Sequence, residues 1–304
     1  MRQDRFAAGI ALVLVTVLSW GATFPVGKAA VAGIDPFWLA AIRYGVTVLA
    51  FAAILAAVEG RGAFGFEGRF AAAAVIGVVG FGGFNTLAFI GLQYSKAEHV
   101  ALINALQAPI TALAQWAWRG VRPANVTLAC MAVAFVGVFF VATHGDPAAA
   151  LAGGSLVGDL LALAAAVCWV VYSLGVVRFA GFSAIRYMTL TCIPGAAALF
   201  AFALAATALG AVVPDAAALR AHGWEVAYLI VVTSIVGVLC WIAGIQRVGP
   251  LNAALLANLV PIVAFAIGIA LGTPFDAFEI GGAALVIGAL VANNLLLRRR
   301  RAPA

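Results

Sequence analysis

Long stretches without a single charged side chain constrain this chain more than any motif does. Charge-free runs cover Phe6–Gly27, Phe70–Ser95, His99–Trp118, Pro123–Gly145, Leu160–Val177, Tyr187–Pro214, Val226–Gln246, Val248–Phe275 and Ile280–Leu297. A tenth run, Pro36–Val58, is equally apolar and is interrupted only by Arg43. A helix needs about 20 apolar residues to cross the hydrocarbon of a bilayer, so each run is long enough for one span. Barrel strands need short segments of alternating polarity, which continuous runs exclude. With its loop, each span uses about 30 residues, and no extramembrane domain is expected.

Composition agrees. Of 304 residues, 65% are hydrophobic and 9% charged, with a mean hydropathy of +1.14; a soluble domain carries about 25% charged residues. A soluble enzyme, a nucleic-acid binder and a disordered regulator are excluded. The first run is read as a permanent helix. It is too long for a signal-peptide core, no small-residue cleavage site ends it, and Pro25 and Lys28 stand at its far end.

The net charge of +6 is read as an orientation signal. With the N-terminus inside, the inner side receives Arg2, Arg5, Arg61, Arg69, Arg119, Arg122, Arg178, Arg186, Arg247 and Arg298–Arg301. The outer side receives Lys28, Lys96 and Arg220, a strong positive-inside bias that places both termini in the cytoplasm. Trp38, Trp224, Trp116 and Trp118 fall at helix ends as interface anchors. The four cysteines lie far apart in apolar runs and read as small buried hydrophobes. His99, His144 and His222 form no metal-ligand spacing, and no Walker loop, dinucleotide fingerprint or nucleophile elbow occurs. No catalytic residue, cofactor, metal or obligate protein partner is expected.

The chain also resembles itself. Ala97-Glu98-His99 leads through Ala101 and Ala105 to Pro109-Ile110, and Gly249-Pro250-Leu251 leads through Ala253 and Ala257 to Pro261-Ile262. Gln93 and Gln246 precede these turns. The expected organisation is a duplication, residues 1–146 carrying helices one to five and residues 147–304 helices six to ten. A unit with an odd number of spans starts its second copy from the opposite face, so the halves are inverted repeats, with a substrate site near the midplane of the repeat interface. Pro109 and Pro261 each disturb the carbonyl four residues earlier, at Ala105 and Ala257. The expected fold is therefore all-α and integral to the membrane, ten helices in two inverted sets of five.

Trp20-Gly21-Ala22-Thr23-Phe24-Pro25 resembles the tryptophan-glycine signature of EamA-type proteins in the drug/metabolite transporter superfamily. Pro36 followed by Ala41-Ile42-Arg43-Tyr44 is similar to the pattern of that family's second helix, and Leu92–Ile110 to the junction of its third and fourth. The resemblance spans the whole chain. It implies efflux or exchange of small metabolites across a bacterial inner membrane, most like the family's exporters of amino acids and aromatic compounds. Glu98-His99 departs from the small or basic pair of many members, so no role is carried onto it.

Polar residues inside spans are costly and mark site candidates. Asn104, Gln107, Thr111 and Gln115 form a stripe on the fourth helix at helical spacing. Thr16, Trp20, Thr23 and Gly27 share a face of the first; Trp169, Tyr172 and Ser173 cluster on the sixth; Ser234 and Trp241 share a face of the eighth. Asn85 lies between Phe81 and Phe89, and Asn258 is on the ninth helix. Together these would make an amphipathic pocket for a small organic molecule; each aromatic alone reads equally as core. Arg43, about 10 Å past Pro36, either recognises a substrate carboxylate, snorkels outward, or braces a gate with Asp35, the structural role being favoured. Pro109 and Pro261 are assigned to gating or structure. No Asp or Glu stands in the middle of a span, which favours export or exchange without a carboxylate proton relay. Drug efflux is the alternative within transport. A receptor or scaffold would expose a recognition loop, and a membrane enzyme a set of convergent groups.

Overall fold

The computed structural model describes residues 2–120, 122–148 and 155–301, without the side chains of residues 2–4, 250–251 and 297–301. Arg2, the Arg298–Arg301 tail and Pro250, which carry orientation and repeat signals in the sequence, have side chains outside the described residues. Ten helices long and apolar enough to cross a membrane follow one another: α1 Arg5–Val31, α2 Pro36–Glu59, α3 Phe70–Tyr94, α4 Ala97–Arg119, α5 Asn125–Thr143, α6 Ser155–Phe179, α7 Ala184–Ala208, α8 Gly223–Val248, α9 Asn252–Ala270 and α10 Ala277–Leu296. No strand occurs among the described residues.

Charges mark the helices well but not their ends. Helix α7 starts ahead of the charge-free run because the Ser183 hydroxyl accepts the Arg186 amide at 3.0 Å, placing Arg186 in the first turn. It stops at Ala208, well short of Pro214, where Gly210 takes a left-handed conformation at φ +71°. Helix α9 likewise ends at Ala270, ahead of Gly272 at φ +78°.

Two helices break where the prolines place the disturbance. The α4 path divides into Ala97–Ala105 and Gln107–Arg119, and the α9 path into Pro250–Ala257 and Val260–Ala270. At the breaks the backbone tightens, Leu106 N–H donating to the Ile103 carbonyl at 3.0 Å and Leu259 N–H to Leu256 at 2.9 Å. Two others widen into π-helical turns, at Val78–Gly83 in α3 and Tyr228–Val236 in α8.

The chain forms two compact units, each drawing on both halves of the sequence: one of Met1–Pro25, Tyr94–Leu160 and Val236–Ala304, the other of Val26–Gln93 and Leu161–Ile235. In the first, Val13 and Val17 of α1 pack with Val248 and Ala253, and the Thr16 hydroxyl donates to the Gly237 carbonyl at 2.9 Å. Helices α5 and α10 cross backbone to backbone, a Cβ at Gly137 meeting the Gly282 carbonyl and a Cβ at Gly282 meeting that of Gly137. In the second unit, Gly77, Gly80 and Gly83 let α3 approach Thr191 of α7 and Tyr172 and Cys168 of α6 closely.

Candidate functional site

Helix α2 sets Arg43 deep in the second unit. Asp35 caps the helix, its carboxylate accepting the amides of Phe37 at 2.9 Å and Trp38 at 3.2 Å, and Pro36 opens the first turn. Arg43 follows two turns later and is 5% exposed, so it does not snorkel. Nor does it pair with Asp35, which serves the cap. Its Nε donates to Ser234 Oγ at 2.9 Å and its Nη1 to Asn85 Oδ1 at 3.3 Å. The guanidinium lies 5.1 Å from the Tyr44 ring centre and 5.7 Å from that of Phe89.

Both neutral partners are themselves fixed. Asn85 Nδ2 donates to the Phe81 carbonyl at 2.9 Å, which orients its oxygen to Arg43. Ser234 stands in the wide turn of α8 and donates to the carbonyl of Leu229, five residues back, at 3.0 Å. Among the described residues no carboxylate is within ion-pair distance of Arg43. A buried cation is costly unless it is paired, and here hydrogen bonds and ring faces hold one whose charge is not neutralised.

An aromatic series runs on from this cation. Ring centres are 5.2 Å apart for Tyr44 and Phe81, 5.1 Å for Phe81 and Tyr172, 5.0 Å for Tyr172 and Trp169, and 5.1 Å for Trp169 and Phe84. Of the expected pocket residues, Asn85, Phe89, Trp169 and Tyr172 thus fall in one neighbourhood of the second unit. Ser173 turns away, exposed, and donates to the Trp169 carbonyl at 2.8 Å.

The remaining candidates belong to the first unit. The Trp20 and Trp241 ring centres lie 5.3 Å apart, tilted by 45°, and the Thr23 hydroxyl donates to the Ser19 carbonyl at 2.9 Å. The α4 stripe is a hydrogen-bonded chain across the helix break: Asn104 Nδ2 donates to the Val100 carbonyl at 2.9 Å, Gln107 Nε2 to Asn104 Oδ1 at 3.1 Å, and the Thr111 hydroxyl to the Gln107 carbonyl at 2.6 Å. Gln115 continues it half-buried. At the α9 break Asn258 is buried, its Nδ2 without a hydrogen-bond partner among the described residues. Pro109 and Pro261 are buried. Pro109 also borders a cavity of about 170 Å³ with Thr127, Met131, Leu290 and Asn293, which the other expected pocket residues do not line.

A polar cluster at one end of the first unit escaped the sequence reading. His99 Nε2 lies 2.7 Å from Glu279 Oε1, and the Lys96 ammonium donates to that oxygen at 2.6 Å. His99 Nδ1 faces Asp159 Oδ2 at 3.8 Å, and the Ser95 hydroxyl donates to the other oxygen of Asp159. His144 Nδ1 is 2.5 Å from Asp276 Oδ2. Asp276 and Glu279 also cap α10 reciprocally, each carboxylate accepting the other's amide at 2.8 Å. For the Asp276 carboxyl, burial raises the pKa, but the Glu279 amide and the His144 ring outweigh it and hold the group below its ordinary value. The Asp-x-x-Glu spacing was a readable cap signal, whereas the convergence of His99 and His144 required the fold.

The profile of the EamA-like transporter family matches residues 7–143 and again residues 156–295. The chain belongs to the EamA-like transporter family. It is 31% identical over 304 residues to the uncharacterized transporter YrdR of Bacillus subtilis (strain 168), covering 98% of this chain and 95% of the relative. It is 31% identical over 283 residues to the uncharacterized transporter YyaM of the same organism, covering 91% and 90%. A solved crystal structure shares the fold at a TM-score of 0.64 and 20% identity, covering 97% of this chain and 99% of that one. Ten apolar helices and this family membership make the protein a multi-pass membrane protein, and its bacterial relatives are consistent with an inner membrane. Family and relatives are those of a transporter rather than an enzyme.

Proposed function

We propose that this EamA-like protein exports amino acids or similar small carboxylate metabolites by alternating access, with Arg43 as the carboxylate-recognising group. The observation that carries this reading is the buried Arg43 guanidinium, held by Asn85 and Ser234 and paired with no carboxylate among the described residues. An arginine fork suits a carboxylate in geometry as well as charge. The Phe89 ring beside it and the series from Tyr44 to Trp169 offer apolar faces to the rest of such a solute.

Efflux of organic cations is disfavoured, because a buried positive charge repels them. Glu98, Asp159 and Glu279 lie within five residues of the starts of α4, α6 and α10, which supports exchange or downhill export without a mid-span carboxylate relay. The reading includes two inverted five-helix repeats, residues 1–146 and 147–304, with both termini cytoplasmic. Its support is the double family match, the paired breaks of α4 and α9 and the paired wide turns of α3 and α8. Counterflow of labelled amino acids into proteoliposomes of the pure protein tests it. Saturable exchange is expected; no flux for any solute of a broad panel would sink the transporter reading.

A further inference from the structure

The cluster at the ends of α4, α5 and α10 has a chemistry that transport of an organic solute does not call for. Its ligand set is two imidazoles and a carboxylate: atoms of His99, His144 and Glu279 lie within 4.8 Å of one another. A fourth donor, Asp276 Oδ2, is 2.5 Å from His144 Nδ1. Nitrogen and oxygen donors of this kind suit zinc and neighbouring divalent transition metals.

Two further observations point to a cation. The first is the surroundings of His99, which is 1% exposed. Its Nε2 is directed to Glu279, while its Nδ1 faces Asp159 Oδ2 at 3.8 Å, and neither of these last two atoms has a hydrogen-bond partner among the described residues. A carboxylate behind the distal nitrogen of an imidazole is the usual support of a metal-ligating histidine, fixing its tautomer and raising its basicity; Ser95 in turn holds Asp159. The second is charge. The carboxylates of Asp159, Asp276 and Glu279 gather in one cluster with a single ammonium, Lys96 on Glu279, an excess of acidic groups that attracts a further cation.

The fold builds this arrangement rather than merely permitting it. The Gly137–Gly282 crossing brings the end of α5 to the start of α10. His144 then takes a left-handed conformation, φ +50°, which turns its ring onto Asp276. Its side chain is 37% exposed, which leaves an entry path for an ion. We propose that His99, His144, Glu279 and Asp276 bind one divalent transition-metal ion, which clamps the ends of α4, α5 and α10, with Lys96 as the counter-cation that the metal displaces from Glu279.

Full-length protein purified in detergent and stripped with a chelator is titrated with Co²⁺, then with Zn²⁺. Co²⁺ is expected to develop the visible absorption of a four-coordinate nitrogen–oxygen site, saturating at one ion per chain, and Zn²⁺ to displace it and raise the melting temperature. His144→Asn, which keeps a residue tolerant of positive φ, and His99→Gln should each weaken binding by about tenfold or more. Lys96→Met should tighten it, and His222→Asn, outside the cluster, should leave it unchanged. Wild-type protein showing neither Co²⁺ absorption nor a Zn²⁺-dependent melting shift overturns the proposal and leaves an ion-pair clamp. Equal weakening by His144→Asn and His222→Asn overturns it as well.

Discussion

A guanidinium that donates to an amide and a hydroxyl keeps its full charge, and this distinguishes Arg43 from Lys96 and Arg186. Lys96 and Arg186 meet carboxylates at 2.6 and 2.8 Å; Arg43 meets Asn85 and Ser234. A charge-assisted hydrogen bond contributes about 1.5–3 kcal/mol, so Arg43→Gln is expected to raise the KM for carboxylate substrates about 10- to 100-fold in counterflow. Arg43→Lys should recover only part of this, because an ammonium lacks the planar fork. A KM unchanged in both variants removes Arg43 from the site. Asn85→Leu should act in the same direction more weakly, by releasing Nη1. The position of Arg43 in its helix was readable from Pro36 and the apolar run. Its partners were not, since Ser234 lies 191 residues away and no local pattern encodes that pairing. The same limit hid His99 and His144, whose ring centres come to 5.6 Å only when the start of α4 and the end of α5 meet in the fold.

Helices reveal most about what sequence can encode. The ten spans follow from hydropathy, and the breaks in α4 and α9 follow from proline, because the disturbed carbonyl lies one turn back and nothing in lipid can replace its donor. The wide turns of α3 and α8 carry no such residue: Val78–Gly83 is glycine-rich, but Tyr228–Val236 contains no glycine or proline. They arise from how the helix is packed, and Ser234 is presented to Arg43 by one of them. Restoring a regular helix by Pro109→Ala or Pro261→Ala should lower the maximal transport rate while changing KM little, measured as initial rates of counterflow. A fall in affinity alone would show the breaks to be binding elements instead. At the α5–α10 crossing a side chain has no space, so Gly137→Leu should overpack the pair by at least about 1–3 kcal/mol. The readout is a melting temperature several degrees lower in detergent, against no change for Gly281→Leu, where a Cβ meets nothing within 4 Å.

At the scale of the molecule, the family match and the two relatives establish a membrane transporter, and the charge distribution proposes which way it faces. Single cysteines introduced at Arg61 and Arg178 should be shielded from an impermeant thiol reagent in intact cells, and one at Arg220 labelled; the opposite pattern would reverse the orientation. The excess of arginine that reads as orientation is spread over loops and helix ends, whereas the charge that reads as function is one buried residue in a span. Sequence separates these two roles only by depth, and the structure adds that Arg43 is oriented by neutral partners. The central claim is recognition of a carboxylate during exchange. It is tested most directly by competition in proteoliposome counterflow, using one labelled amino acid against its unlabelled acid, its amide and its decarboxylated amine. The account predicts that the acid competes and that the amide and amine do so about tenfold or more weakly. Equal competition by the amine, at unchanged total flux, would contradict it.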